Sequence, residues 1–181
     1  MINIQKPKVH FIDNQLLDPP NPVTVNLIGA GGTGSQVLIA LARMNHALTE
    51  LGHPGLWVRL WDNDVVTAAN FGRQLFAESE SGLYKSTALI NRTNRFFGTN
   101  WKAETSNFEK DILRGFDINK QSSIYISCVD SIQSRFNIAE ILNELKEIGG
   151  YYRSKGRYWI DFGNSQQSGQ VLLSTIGKIK Q

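Results

Sequence analysis

Gly29, Gly31 and Gly34 satisfy G-x-G-x-x-G within the run Gly29-Ala30-Gly31-Gly32-Thr33-Gly34. The run follows Val23-Thr24-Val25-Asn26-Leu27-Ile28, an apolar, β-branched stretch that reads as a buried parallel strand, and it precedes a helical pattern. In that context the motif points to a nucleotide. The glycines let the chain turn sharply and let a phosphate approach without meeting a β-carbon, and the helix start offers free N–H groups to an anion. Asp62, at the end of the next strand, is placed to accept hydrogen bonds from ribose hydroxyls. The motif does not choose the nucleotide. An NAD-dependent oxidoreductase fits the glycines and the acidic strand end equally well, although the interval from Gly34 to Asp62 is long for that fingerprint.

The elements that must position these residues follow from the apolar pattern. Val9–Ile12 reads as a short strand, Val23–Ile28 as a strand, and Thr33–Leu51 as a helix with Val37, Leu38, Leu41, Ala42 and Leu48 on its apolar face. Gly52-His53-Pro54-Gly55 stops that helix. Leu56–Trp61 is a second strand, and Gly82-Leu83-Tyr84-Lys85 opens a helix that runs to Phe97 and ends at Gly98. Trp101–Phe108 is a weaker strand, 109–122 a polar loop, and Ile124–Val129 a strong strand. After Asp130 comes a helix to Ile148 with Phe136, Ala139, Leu142 and Leu145 inward, ended by Gly149-Gly150. Tyr158–Phe162 and Gln170–Ile176 read as two further strands.

Strands alternating with helices imply an α/β fold: a Rossmann-like, mostly parallel sheet with helices on both faces and C-terminal strands toward an antiparallel edge. Ligands bind such sheets beyond the carboxyl ends of the strands. Here those ends carry the glycine run, Asp62-Asn63-Asp64 and Asp130, which would converge on one crevice.

At 181 residues the chain has room for one substantial core, so residues 1–181 are expected to form a single domain, with C-terminal truncation left open. Hydrophobic residues at 41% against charged ones at 19% place it among globular chains rather than disordered ones. No apolar run nears the ~20 residues that cross a bilayer, so no membrane partner is expected. The net charge of +3 is spread over single basic residues without a basic stripe, which argues against nucleic acid. One cysteine, Cys128, excludes an internal disulfide framework and points to a cytoplasmic setting. His10, His46 and His53 share no metal-ligand spacing, and His46 and His53 are expected at the surface.

The stretch Asp62-Asn63-Asp64 through Asn70-Phe71-Gly72-Arg73-Gln74, followed by Gly82-Leu83-Tyr84-Lys85, resembles the signature of the ThiF/MoeB/E1 (ubiquitin-activating-type) superfamily. That signature has Asp-x-Asp after the second strand, Asn-x-x-Arg-Gln, and Gly-x-x-Lys opening a helix. Asp130 with Arg135, and Ser168-Gly169-Gln170-Val171 in the last hairpin, extend the likeness over about residues 23–176. In wording and spacing it is most similar to the ThiF family protein of the bacterial PRTRC genetic system.

The resemblance implies an enzyme, an adenylyltransferase that uses ATP and Mg to activate the C-terminal carboxylate of a small ubiquitin-like or sulfur-carrier protein. It also implies a homodimer. It implies nucleotide contacts from Gly29, Gly31, Gly32, Gly34, Asp62, Asp64, Asn70, Arg73, Gln74 and Lys85, with Arg73, Lys85 and Asp130 catalytic and Asp130 on magnesium. The chemistry of the side chains agrees. A polyphosphate needs cations, and arginine grips it with a planar fork while lysine acts as a point charge. Magnesium takes one or two carboxylates beside substrate phosphates.

Plainer roles stand beside these. Arg73 and Lys85 could be solvated surface charges, Asp130 a helix cap, Asp64 a loop brace and Arg135 a structural ion pair. A third reading is a non-catalytic nucleotide-binding module, because the chain has no Cys-x-x-Cys pair and ends at Gln181, before the family's usual crossover segment. Cys128 lies in an apolar strand and reads as a small buried residue rather than a thioester-forming nucleophile. Trp57, Trp61 and Phe96-Phe97 read as core or inter-subunit packing.

Overall fold

The structure, a computed structural model, describes residues 12, 14–109, 122–148, 158–165 and 167–176. A single helical turn, α1 (Asn14–Leu17), leads into β1 (Val23–Ile28), α2 (Gly32–Glu50) and β2 (Leu56–Trp61). Then come α3 (Lys85–Phe97), β3 (Lys102–Glu104), β4 (Ile124–Ser127), α4 (Ile132–Ile148), β5 (Tyr158–Asn164) and β6 (Gly169–Thr175). The sheet order is β3-β2-β1-β4-β5-β6. The strands from β3 across to β5 are parallel, and β6 pairs antiparallel at the edge. The expected fold class is therefore the observed one.

Period-two alternation splits the core between the two faces of the sheet. Val25 and Leu27 of β1, Val58 and Leu60 of β2 and Ile126 of β4 face one way, onto Leu38 and Leu41 of α2 and Leu89 of α3. Ile28, Trp61 and Tyr125 face the other way, onto Ile138, Ile141 and Leu142 of α4. Trp61 is large and carries a polar N–H. It is seated by donating Nε1–H to the buried Asn26 Oδ1 at 2.8 Å, so this second face keeps no unsatisfied indole.

Several expectations need correction. The Trp101–Phe108 strand shortens to Lys102–Glu104. Asn94 of α3 takes over Trp101, accepting its N–H and donating to its carbonyl, each at 3.0 Å. Phe108 then turns inward onto Trp61 and Tyr125. Phe136 is 62% exposed, because Ile138, Ile141 and Leu142 already fix the inward face of α4. His53 is half-buried rather than exposed; its Nδ1 accepts the Gly55 N–H and braces the turn before β2. Of the aromatic residues, Trp61 is core while Phe96 is exposed. The strand expected over Val9–Ile12 lies, apart from Ile12, outside the described residues, as do most of 109–122 and the pair Gly149-Gly150.

Candidate functional site: a glycine-floored crevice at the switch in strand order

In the sheet β1 lies between β2 on one side and β4 on the other, where the strand order reverses, and the carboxyl ends of all three open into one crevice of about 460 Å³. Its floor is the glycine run, and each glycine does a different job. Gly29 has φ +97°, and a Cβ there would stand 2.8 Å from the Cys128 carbonyl oxygen. A Cβ on Gly34 would stand 1.9 Å from the Gly29 carbonyl oxygen, so helix and strand close on each other only at a glycine. A Cβ on Gly31 would meet nothing within 4 Å, which leaves open space above the floor. The N-terminus of α2 carries no capping side chain, so amides of its first turn are left free beside that space.

Asp62 ties this floor to β2. Its Oδ2 accepts the Ala30 N–H at 2.6 Å and its Oδ1 the Asp64 N–H at 2.9 Å. Each oxygen retains acceptor capacity toward the crevice. Burial pushes the Asp62 carboxyl above the usual carboxylate range, and the two backbone donors oppose that shift. Asp64 ion-pairs with Lys85, Nζ to Oδ2 2.6 Å. The Lys85 side chain is 9% exposed and Asp64 63%, so the lysine is the enclosed partner. Lys85 is also the first residue of α3, where a cation meets the positive end of the helix. The Asp64 carboxylate offsets that unfavourable placement locally, and a ligand of negative charge in the crevice would offset it further.

Arg73 is exposed and lines the crevice. Its Nε donates to the Ala69 carbonyl at 3.3 Å, and no carboxylate pairs with it among the described residues. Gln74 also lines the crevice, and its buried Oε1 has no hydrogen-bond partner. Asn70 is different. It is buried and its Oδ1 accepts the Thr67 N–H at 2.8 Å, closing the short 3-10 turn Ala68–Asn70 that leads into Arg73.

Asp130 lines the opposite wall and is exposed. The expected helix-cap role falls to its neighbour: Ser131 Oγ accepts the Ser134 N–H at 3.0 Å. The Asp130 carboxylate is thus left to the crevice. Arg135 proves structural. It pairs with the buried Asp161 (Nε to Oδ2 3.0 Å) and donates to the Val129 carbonyl at 2.7 Å, pinning the chain just before Asp130. Ser127 completes this knot with 2.5 Å to Asp161 Oδ1, and Trp159 donates to the serine at 2.8 Å.

Cys128 forms part of the wall, but burial pushes its thiol up to about 12. Near pH 8 that leaves on the order of a thousandfold less thiolate than an ordinary cysteine holds. Iodoacetamide should therefore label the native protein at pH 8 at least about 100-fold more slowly than the urea-unfolded protein, read by intact mass. Equal labelling of native and unfolded protein would show a reachable thiolate and reopen the nucleophile role.

Sequence reasoning missed Asn107 and Phe108, just past β3, Ser134 of α4, and Asn164 at the end of β5. The available signal was the strand-end rule itself. Both β3 and β5 are parallel strands, so residues at and just beyond their carboxyl ends belong to the same rim.

Comparison with known proteins agrees with this fold. A model of the ThiF family matches residues 8–176. The ubiquitin-like modifier-activating enzyme 5 of Gallus gallus is 29% identical over 168 residues, which cover 86% of this chain and 38% of that protein. Among solved structures, E. coli tRNA N6-threonylcarbamoyladenosine dehydratase (TcdA) in complex with ATP superposes with a TM-score of 0.54. It is 20% identical and covers 70% of this chain and 47% of its own. E. coli MccB with MccA-N7isoASN superposes with a TM-score of 0.55 at 20% identity, covering 78% and 36%. These two likenesses show the fold. The chain spans well under half the length of the activating enzyme it matches.

Proposed function

Since this chain belongs to the ThiF family, we propose that its crevice binds ATP with magnesium and adenylates the C-terminal carboxylate of a small ubiquitin-like or sulfur-carrier protein. One observation carries the reading. Arg73 and Asp130, neither in an ion pair among the described residues, share a crevice with the enclosed Lys85. The Gallus gallus relative is named as an activating enzyme for a ubiquitin-like modifier, and TcdA was solved with ATP. The first supports the choice of partner and the second the choice of nucleotide.

In this reading the floor of Gly29, Gly31, Gly32 and Gly34 admits the nucleotide, and Asp62 accepts from the ribose hydroxyls. Arg73 and Lys85 hold the phosphates, with Gln74 donating a neutral hydrogen bond through its amide. Asn70 acts through the turn that presents Arg73. Magnesium fits the residues present. No cluster of three or more metal-ligating side chains exists among the described residues, and this ion asks for only one or two carboxylates when phosphates supply the rest. Asp130 would hold it, with the exposed Asp64 next to the site. The ion supplies charge neutralisation at the phosphates.

The reaction is one displacement. A carboxylate oxygen of the partner forms a bond to the α-phosphorus, the bond from that phosphorus to the bridging oxygen breaks, and pyrophosphate leaves with the electron pair. The attacking group is already ionised, so no general base is required. What this chain contributes is alignment and positive charge on the leaving side. A homodimer and a cytoplasmic setting belong to the same proposal.

Calorimetry with Mg-ATP, and with NAD and NADH in parallel, tests it. Saturable Mg-ATP binding is expected, weakened about tenfold or more by Asp130→Ala and by chelation of the metal. ATP-pyrophosphate exchange in the presence of a partner then separates catalysis from mere binding. Saturable NAD binding in place of ATP would return the oxidoreductase, which family membership does not favour.

A further inference from the structure

We propose that Arg92 and Glu80 are positioning residues, whose ion pair latches the strap carrying Arg73 and Gln74 onto α3. This inference rests on the nucleotide reading of the crevice. The strap runs between two left-handed glycines, Gly72 at φ +71° and Gly82 at φ +85°. Its far end is fixed by Gly82 N–H to the Val66 carbonyl (3.0 Å) and Val66 N–H to the Leu83 carbonyl (2.8 Å). Between those ends Phe76 plugs into the core shared by α2 and α3, and Arg92 supplies a further anchor.

The Arg92 guanidinium reaches two points of the strap at once. Nη1 lies 3.2 Å from Glu80 Oε2, and Nη2 donates to the Leu75 carbonyl. The same Glu80 oxygen accepts the Ala77 N–H at 2.8 Å. Residues 75, 77 and 80 are thereby tied to one helix through one planar, rigid group. The Glu80 side chain is 15% exposed and Arg92 40%, so solvent screens this pair less than a surface pair. Leu75 directly follows Gln74, whose backbone N–H donates to the Asn70 carbonyl at 2.9 Å. The latch therefore sets the backbone from which Arg73 and Gln74 reach into the crevice.

Arg92 stands seven residues after Lys85, two turns along the same face of α3. The helix carries one phosphate cation directly and fixes the other through the strap. A solvated surface pair would not account for the second donation to a main-chain carbonyl. The distance between the two cations, on which gripping one polyphosphate depends, becomes a property of a single rigid helix.

Hydrogen exchange and Mg-ATP calorimetry on the whole chain test the latch. Arg92→Met should speed exchange of the amides of residues 74–81 in the free protein and raise the Kd for Mg-ATP about tenfold. Arg92→Lys, which keeps the pair with Glu80 but lacks the second donor of the fork, should fall between. Glu80→Gln should weaken binding less, and Glu80→Gln combined with Arg92→Met should be no worse than Arg92→Met alone. Unchanged strap exchange in Arg92→Met overturns the latch whatever the ligand. Unchanged Mg-ATP affinity, where the unmutated protein binds, overturns the positioning role. Failure of the unmutated protein to bind Mg-ATP removes the nucleotide reading and that role with it, while the exchange data still decide whether the latch exists.

Discussion

Gly34→Ala is expected to lower stability by about 3 kcal/mol or more, while Gly31→Ala, three residues earlier in the same motif, leaves stability nearly unchanged. The two glycines answer different demands. A methyl on Gly34 would sit 1.9 Å from the Gly29 carbonyl oxygen and 2.8 Å from its carbonyl carbon. Both are backbone atoms at the end of β1, which pairs on both sides with β2 and β4, so neither can yield without moving the centre of the sheet. A methyl on Gly31 meets nothing within 4 Å, and its φ of −74° suits alanine. It does project over the floor on which a nucleotide would rest. Gly31→Ala should therefore unfold in urea with a midpoint close to that of the unmutated protein yet bind Mg-ATP about tenfold or more weakly. Equal stability of the two variants would show that the close approach at Gly34 is not what selects glycine there.

That contrast also shows what can be read from a sequence. The G-x-G-x-x-G spacing announces both glycines, but only the packed helix tells which meets the chain and which meets the ligand. The strands of the sheet were legible where β-branched and apolar residues run nearly unbroken, as in Val23–Ile28 and Leu56–Trp61, because burial on both faces leaves little room for polar positions. Trp101–Phe108 misled because its apolar ends serve other purposes: Trp101 is held by Asn94 and Phe108 fills the second core. Phe136 misled for a related reason. Helical spacing counts candidates for an inward face, and Ile138 and Ile141 occupied it first.

The site divides in the same way. Arg73, Lys85, Asp62 and Asp130 each stand within or next to a short ordered motif, so chain neighbours identify them. Asn107, Phe108 and Asn164 reach the crevice only because β3 and β5 lie parallel to the central strands, and no local pattern encodes that pairing. Asp130 could be read as a cap or as a ligand; Ser131 does the capping, and the ligand role rests with the proposed function. Arg135 was ambiguous until its carboxylate partner appeared 26 residues away in β5.

Arg73→Ala and Lys85→Ala should each weaken Mg-ATP binding by about 10- to 100-fold, the value of one charge-assisted hydrogen bond to phosphate, with little change in thermal stability. The separation of binding from folding is what makes the pair informative. Arg73 is exposed and holds one side-chain bond of 3.3 Å, so its removal should alter stability by no more than about 0.5 kcal/mol. Lys85 is enclosed, but its partner Asp64 stands 63% exposed and returns to water when the lysine goes. Removing a cation from the first residue of α3 also relieves an unfavourable meeting with the helix dipole, which offsets the lost ion pair. Both binding effects should shrink in high salt, because screening already weakens the attraction of each cation for the polyphosphate. Calorimetry beside thermal melts reads both quantities on the same samples. Two folded variants that bind Mg-ATP as the unmutated protein does would falsify the phosphate assignment, and the enclosed lysine at the head of α3 would then require another ligand.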